Sequence, residues 1–502
     1  MRSLLSKLVA IAIVALCNTA RIPAADFNFF GRSGDAIDIN LGAIPGIAAG
    51  STFSSLNLAG FANHTVLTSD LLTAQPFAST GHLWVFANPA RDTTAEGDTN
   101  TAARGFQGTL SGSVLVNGVS KTFSVTAAPG YTGSGAGSVG QSSEKINDAT
   151  NNPLFVAQQQ QRLRCLGFVP EGGTPLTVDA DFGPNTDSAT HTFQATWAGG
   201  STGYNTTQAD VDGIIGPNTA SWLNAQNAPT WGELIDPDPQ PPGTFSISRM
   251  IGNFDIYHGG DRSGITPQPE RFGVNWSFDL IAKGSAKAKI ATGRTQRINA
   301  ISMSDGYGSS CCHDTHRVGE DIDLGTDSST WNWGDGVTSS EEQKVINHAI
   351  SFVDAGASGK VIRFITSNQD IYDGIHTARP SVALYYDTSG GHQNHLHIDV
   401  GPPAQVAGLA NLPGDFNLDD VVDARDYVVW RTSVGKTLTQ SSYTQWRANF
   451  GKTITNRPIA AGADFEEAGS GLAAQAIPEP SAAFLAAIAC LFGLLPRRYP
   501  SR

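Results

Sequence analysis

The spacing of apolar and polar positions changes several times along the chain. HLWVFA (82–87) reads as a strand, and SVLV and VSKTFSV (113–116 and 119–125) flank Asn117-Gly118, a pair suited to the positive φ of a two-residue hairpin turn. QQQQRLRCLGF (158–168) is a helical pattern, with Leu163 and Leu166 on one side and Gly167 as its stop. ATHTFQ (189–194) and ASWLN (220–224) continue the helical spacing. Later, SSEEQKVINHAISFVDAG (339–356) is helix-like and KVIRFIT (360–366) strand-like, while EDIDL (320–324) and LHIDV (396–400) alternate with period two. DYVVWRTSVG (426–435) and SYTQWRANFG (442–451) repeat one helical pattern. GSGAGSVG (133–140) and IDPDPQPPG (235–243) interrupt the periodic stretches, the second being stiff and extended.

These breaks divide the chain into a β-rich region (26–145), a helical region (146–232), a Pro-rich linker (233–243), a mixed region (244–402), a small helical module (411–453), a second linker (454–476) and two end segments (1–25 and 477–502). Several domains are expected of 502 residues, at about 100–200 residues each. With 32 basic against 45 acidic side chains the net charge is −13, which excludes nucleic acid as a partner. Only 15% of residues are charged and 55 are glycine, a loop-rich composition that is neither coiled coil nor wholly disordered.

The end segments carry the compartment. Arg2 and Lys7, the apolar run Leu8 to Cys17 and the small residues Ala24 and Ala25 form the pattern of a secretory signal peptide. At the other end, IPEPS (477–481), an apolar stretch from Ala482 to Leu495, and Pro496-Arg497-Arg498 resemble the PEP-CTERM sorting signal. That resemblance implies removal by exosortase-type sorting machinery and export to the periplasm, cell envelope or extracellular surface. Without these segments the cysteines are Cys165, Cys311 and Cys312. Cys165 is expected on the packed side of its helix.

DADFGPNT (179–186) and DGIIGPNT (212–219) are two copies of one turn. In each, an acidic residue leads through an apolar position to Gly-Pro and a Thr that can cap the following helix. This helix, turn and helix arrangement resembles the peptidoglycan-binding domain attached to many bacterial wall hydrolases, which implies a three-helix fold and peptidoglycan as partner. GDFNLDDVVDARDYVVWR (414–431) places Asp415, Asn417, Asp419, Asp423 and Asp426 at positions 1, 3, 5, 9 and 12 of a twelve-residue loop, the spacing of oxygen ligands around Ca²⁺. With the second helix copy this resembles a dockerin-type module and implies a cohesin-like partner. The second copy lacks the calcium ligands.

The chemistry concentrates in CCHDTHRVGEDIDLG (311–325) and GGHQNHLHIDV (390–400). Period two points His395 and His397 to one face of a strand, and likewise Asp321 and Asp323. Two imidazoles and a carboxylate meeting across a sheet can hold Zn²⁺ with three protein ligands, leaving a fourth position open. HRVGEDID followed by GHQNHLH resembles the penicillin-insensitive murein endopeptidases and their relatives among zinc D-Ala-D-Ala carboxypeptidases. The resemblance implies an α+β domain with a small antiparallel sheet, and zinc on His316, Asp323 and His397. It further implies His395 as general base and His392 as a stabiliser of the transition state. Asp321 fits the murein endopeptidase form. Gly308 stands where many carboxypeptidase relatives have Arg, which favours an endopeptidase. Cys311, Cys312 and His313 lie beside the motif without the family's ligand spacing.

The expectation is therefore a secreted, multidomain zinc peptidase of the bacterial wall that cleaves peptide cross-links, with Ca²⁺ in the C-terminal loop. The alternatives are a zinc D-Ala-D-Ala carboxypeptidase and a non-catalytic wall-binding or adhesion protein.

Overall fold

The computed structural model describes residues 25–32, 34–59, 61, 64–87, 108–128, 145–170, 173–198, 211–225, 227–234, 245–247, 251–252, 254–255, 260–261, 268–303, 319–325, 339–407, 412–417, 421–433 and 440–453. The signal-like segment 1–24, both glycine- and proline-rich interruptions, and the sorting-like C-terminus lie outside them.

In the N-terminal region the main strands are β1 (Phe27–Arg32), β2 (Ala36–Asn40), β3 (Phe53–Asn57), β4 (His64–Leu67), β5 (His82–Ala87), β6 (Gly108–Val116) and β7 (Val119–Ala128). They form two sheets, in the orders β1-β7-β6-β3 and β2-β5-β4. Inward residues of both, among them Phe29, Ile39, Leu83, Val114 and Phe123, share one core. The hairpin occurs where the Asn-Gly pair predicts it. Asn117 and Gly118 have φ of 50° and 79°, and Val116 pairs with Val119.

Three helices follow: α1 (Pro153–Cys165), α2 (Pro184–Ala198) and α3 (Pro217–Leu223). Each begins on a proline, whose missing N–H costs nothing at a helix start. The two sequence copies are copies in space, each gathered by one glutamine. The Gln160 amide donates to Asp179 Oδ1, the Asp181 carbonyl and Thr186 Oγ1, and its oxygen accepts from the Asp179 and Ala180 amides. Gln194 repeats this with Asp212 Oδ1, the Ile214 carbonyl and Thr219 Oγ1, and with the amides of Asp212 and Gly213.

Helix α1 is enclosed on more than its leucine side. Leu154 and Ala157 pack with Trp84 and Phe86 of β5, Arg162 pairs with Asp35 at 2.7 Å, and Gln158 to Gln161 are all buried. A run that is polar in sequence is thus interior, because neighbours cover both sides of the helix. Cys165 is buried in the same helix and receives the Gln161 amide at 3.3 Å.

The Pro-rich segment is a boundary in composition, but its flanks are joined. Strand β8 (Trp231–Glu233) precedes it, β9 (Phe245–Ile247) and β10 (Phe272–Val274) follow, and β8 pairs antiparallel with β10. Trp231, Val274 and Trp276 belong to one apolar cluster that runs from the helical module into the next domain. Asn227 also bonds the Ala404 carbonyl and the Val406 amide.

The main remaining elements of that domain are α4 (Asn275–Thr292), β11 (Gln296–Ala300), β12 (Asp321–Gly325), α5 (Ser339–Val353), β13 (Lys360–Thr366), α6 (Gln369–Ala378), β14 (Ala383–Tyr386) and β15 (Leu396–Gly401). They build a six-stranded sheet in the order β9-β11-β12-β15-β13-β14. Its centre is antiparallel, but β9 with β11 and β13 with β14 are parallel. Each parallel pair is connected through a helix, α4 or α6, which returns the chain to the same end of the sheet. Helix α4 packs on α5 at Gly284, where a Cβ would come within 2.7 Å of the Phe352 ring. Gly319, just before β12, has φ of 67°, and a Cβ there would lie 2.4 Å from Gly273 Cα. Only glycine fits at that turn into β12.

The C-terminal module has α7 (Ala424–Ser433) and α8 (Gln440–Asn449), closed by a bridge between Val421 and Thr453. Trp430 and Tyr443 rings meet at 4.8 Å, so the repeated aromatic positions form its small core. Among the described residues no helix is long and apolar enough to cross a membrane.

Candidate metal centre

Strand register assembles the site. On β12 and β15, Asp323 stands opposite His397 and Asp321 opposite Asp399. The alternate residues Ile322 and Ile398 face the apolar cluster with Phe352 and Phe364. Their burial therefore fixes the four polar side chains to the other face. On the next strand, β13, Arg363 is opposite Asp399 and Ile365 opposite His397. Two rows cross three strands: Asp321, Asp399, Arg363 and Asp323, His397, Ile365.

His397 is fully buried between carboxylates. Its Nδ1 is 2.9 Å from Asp323 Oδ1, and its Nε2 is 3.0 Å from Asp399 Oδ1 and 3.7 Å from Asp321 Oδ1. His395 Nε2 is 3.5 Å from Asp323 Oδ1, and Asn394 Oδ1 accepts from His395 Nδ1 at 2.8 Å. Arg363 pairs with the other oxygen of Asp399.

His392 approaches from the loop after β14, its ring centre 4.9 Å from that of His395 and 5.7 Å from that of His397. Asp387 organises this loop. It accepts from His392 Nδ1 at 2.8 Å, from the His392 amide, from Ser367 Oγ and from the Ser389 amide and hydroxyl. Burial opposes its ionisation, but these donors hold its carboxyl below the usual range.

The electrostatics test whether a cation suits this face. Burial disfavours a charged His397, yet hydrogen bonds to Asp321, Asp323 and Asp399 raise its pKa well above the ordinary value. Burial likewise opposes the Asp399 carboxylate, and His397 and Arg363 overcome it. The cluster thus carries enough negative charge to keep a proton on a fully buried imidazole. The same surplus would be met by a divalent cation, for which His, Asp and a neighbouring His are suitable donors. Asp321, His397 and Asp399 also offer ligand atoms within 4.8 Å of one another. His392 behaves differently: burial lowers its pKa, and the bond to Asp387 only partly compensates.

Of the residues named from sequence, Asp323, His392, His395 and His397 are brought together. His316, with Gly308, Cys311, Cys312 and His313, lies outside the described residues. Asp399, Arg363 and Asp387 were given no part in the sequence reading. The period-two position of Asp399 in LHIDV is the one signal that could have flagged it.

The calcium-loop residues are described except Asp419. Asp426 is buried and accepts from the amides of Phe416, Asn417 and Asp423 at 2.7, 3.1 and 2.8 Å, which draws the loop closed. Asp423 binds the Arg425 side chain, and Asp415 pairs with Arg32.

No protein-family model matches the chain, and a search of curated proteins finds no match.

Proposed function

We propose that the chain is a secreted, zinc-dependent peptidoglycan endopeptidase that hydrolyses peptide cross-links of the bacterial cell wall. The observation that carries this reading is the convergence of Asp323, His395 and His397 on one polar sheet face, with His392 against them. Asp323 and His397, together with His316, would hold the zinc. Bound there, zinc supplies Lewis acidity toward a peptide carbonyl and lowers the pKa of water.

The chain's own residues do the rest. Asn394 Oδ1 accepts a hydrogen bond from His395 Nδ1–H, leaving Nε2 as the basic atom. His395 accepts the proton of the attacking water there and returns it to the leaving amine. Asp387 fixes His392 through Nδ1, so that its Nε2 faces the polar groups of the substrate and, when protonated, donates to the developing oxyanion. The helical module, with its paired Gly-Pro turns, contacts the wall and raises the local concentration of substrate. Its strand pairing and shared core with the peptidase domain favour one substrate-engaging body over two beads on a linker.

The test is digestion of purified cross-linked muropeptides by the mature protein, with and without a zinc chelator, read by mass spectrometry. Metal-dependent conversion of dimers to monomers is expected. Release of a single terminal D-Ala would make it a carboxypeptidase. No product from the zinc-loaded protein would leave a wall-binding surface protein.

A further inference from the structure

The twelve-residue loop of the C-terminal module has the spacing of a calcium site, yet oxygens that the spacing assigns to the metal already have partners in the chain. At the first position, Arg32 Nη2 lies 3.5 Å from Asp415 Oδ2, with side chains 1% and 0% exposed. At the twelfth, Asp426 Oδ1 accepts from the amides of Phe416 and Asn417, and Oδ2 from that of Asp423. At the ninth, Asp423 accepts from the Arg425 amide with one oxygen and from its guanidinium with the other. In this conformation the donor set does not fit Ca²⁺, which takes about six to eight oxygens turned inward. We propose that the module has the chain's own N-terminal β-domain as its partner: Arg32 stands in the place of the loop cation, so that docking on β1 and calcium binding exclude each other, a relation that stands apart from the zinc reading.

Both sides of the contact are fixed by the fold. Arg32 ends β1 in register with Ala128 of β7, and a Cβ on the preceding Gly31 would come within 2.4 Å of Ile37 on β2. The Asp35 amide bonds the Arg32 carbonyl, and the Asp35 carboxylate pairs with Arg162 of α1, which ties this end of the strand to the helical module. On the other side Gly414 has φ of 98°, and a Cβ there would lie 2.6 Å from Trp446 Cα, so the backbone before Asp415 rests directly on α8. The Asp423–Arg425 pair is at the surface and yields readily. The Arg32–Asp415 pair is interior, and separating it strands a buried charge. Arg32 is therefore the group that calcium has to displace. The coupling is reciprocal: the factor by which Arg32 weakens calcium binding is the factor by which calcium weakens docking.

The experiment follows the full mature chain through a calcium titration that starts in EDTA. Small-angle X-ray scattering reads docking as the maximum dimension of the chain, and isothermal titration reads calcium binding. The proteins are wild type, Arg32→Met and Arg32→Lys. Wild type is expected to be compact in EDTA and to lengthen as calcium fills the loop. Arg32→Met should bind calcium about tenfold more tightly, within the usual span of a coupling between sites, and lengthen at correspondingly lower calcium. Arg32→Lys, which keeps the charge without the planar fork, should fall between the two. If Arg32→Met fails to fold, the direction of both shifts in Arg32→Lys decides. A wild-type chain that stays compact with its loop saturated would overturn the proposal and return the module to a partner outside the chain. Equal calcium affinities in all three proteins, or binding by none of them, would overturn it by removing the competition.

Discussion

Arg32 and Asp415, 383 positions apart, form a buried ion pair with Nη2 and Oδ2 3.5 Å apart. Strand β1 thereby reaches the first position of the dockerin-like loop and places a fixed positive charge on an oxygen the loop spacing assigns to calcium. A divalent cation at that carboxylate must displace or tolerate the guanidinium. Arg32→Met is therefore expected to raise the calcium affinity of the chain about tenfold, or ~1.4 kcal/mol. It should also make the melting temperature more dependent on calcium. Isothermal titration of both proteins checks this, and equal affinities would show that Arg32 does not compete.

Two buried histidines give pH dependences of opposite sign. Burial and the charge of Arg294 lower His348 from 6.5 to about 4. Its folded form resists protonation, so its contribution is full above pH 6.5 and is lost as pH falls toward 4. The difference corresponds to about 3 kcal/mol. For His82, burial opposes the charge, but Asp38 and Asp70 outweigh it and the pKa rises. Its contribution is present below pH 6.5 and is lost as pH rises through the folded value. Urea denaturation between pH 4 and 8 should show His348→Gln with a shallower loss of stability on the acid side than wild type. His82→Gln should lack the loss on the alkaline side.

Each glutamine hub is a buried side chain that ties together one turn, in which Thr186 or Thr219 is buried while Asp179, Asp181 and Asp212 are exposed. Gln160→Ala removes five hydrogen-bonded contacts at the first turn, and Gln194→Ala the equivalent set at the second. Each substitution is expected to cost about 2–4 kcal/mol, since it empties the space of a buried side chain as well as losing its bonds. Gln160→Glu should be similarly damaging, because the carboxylate cannot donate to Asp179, Asp181 and Thr186. Denaturant midpoints measure all three, and a change below about 1 kcal/mol would show that water replaces the amide.

The repeat itself was legible, since Gly-Pro and Thr recur at equal spacing, but the glutamine that gathers each copy lies one helix earlier and its role needs the fold. The site divides similarly. Period two was enough to put His395 with His397 and Asp321 with Asp323, because the intervening Leu396 and Ile322 have to face the core. Strand order and register were not readable, so Arg363 gave no sign of standing opposite Asp399. The parallel edge strands of the sheet also follow from crossover helices whose destinations local patterns do not specify. The four-glutamine run was misleading by polarity alone: its helix is covered by β5 on one side, and Gln160 is enclosed by the 179–186 turn.

His395 and His397, two positions apart on one face, should separate cleanly into proton transfer and metal retention. His397 lies between Asp323 and Asp399 and is fully buried, so His397→Ala is expected to lose bound zinc, measured by elemental analysis, and with it all hydrolysis. His395 is turned by Asn394 so that Nε2 is free of the Nδ1 proton, and its contact with Asp323 is longer, at 3.5 Å. His395→Ala should therefore keep its zinc while muropeptide cleavage falls about 10²- to 10⁴-fold, the span of a lost general acid–base group. Asn394→Ala, which leaves the ring in place but removes its orienting acceptor, should reduce kcat less and leave zinc content unchanged. Loss of zinc from His395→Ala would instead make His395 a ligand and assign the proton transfer to another group.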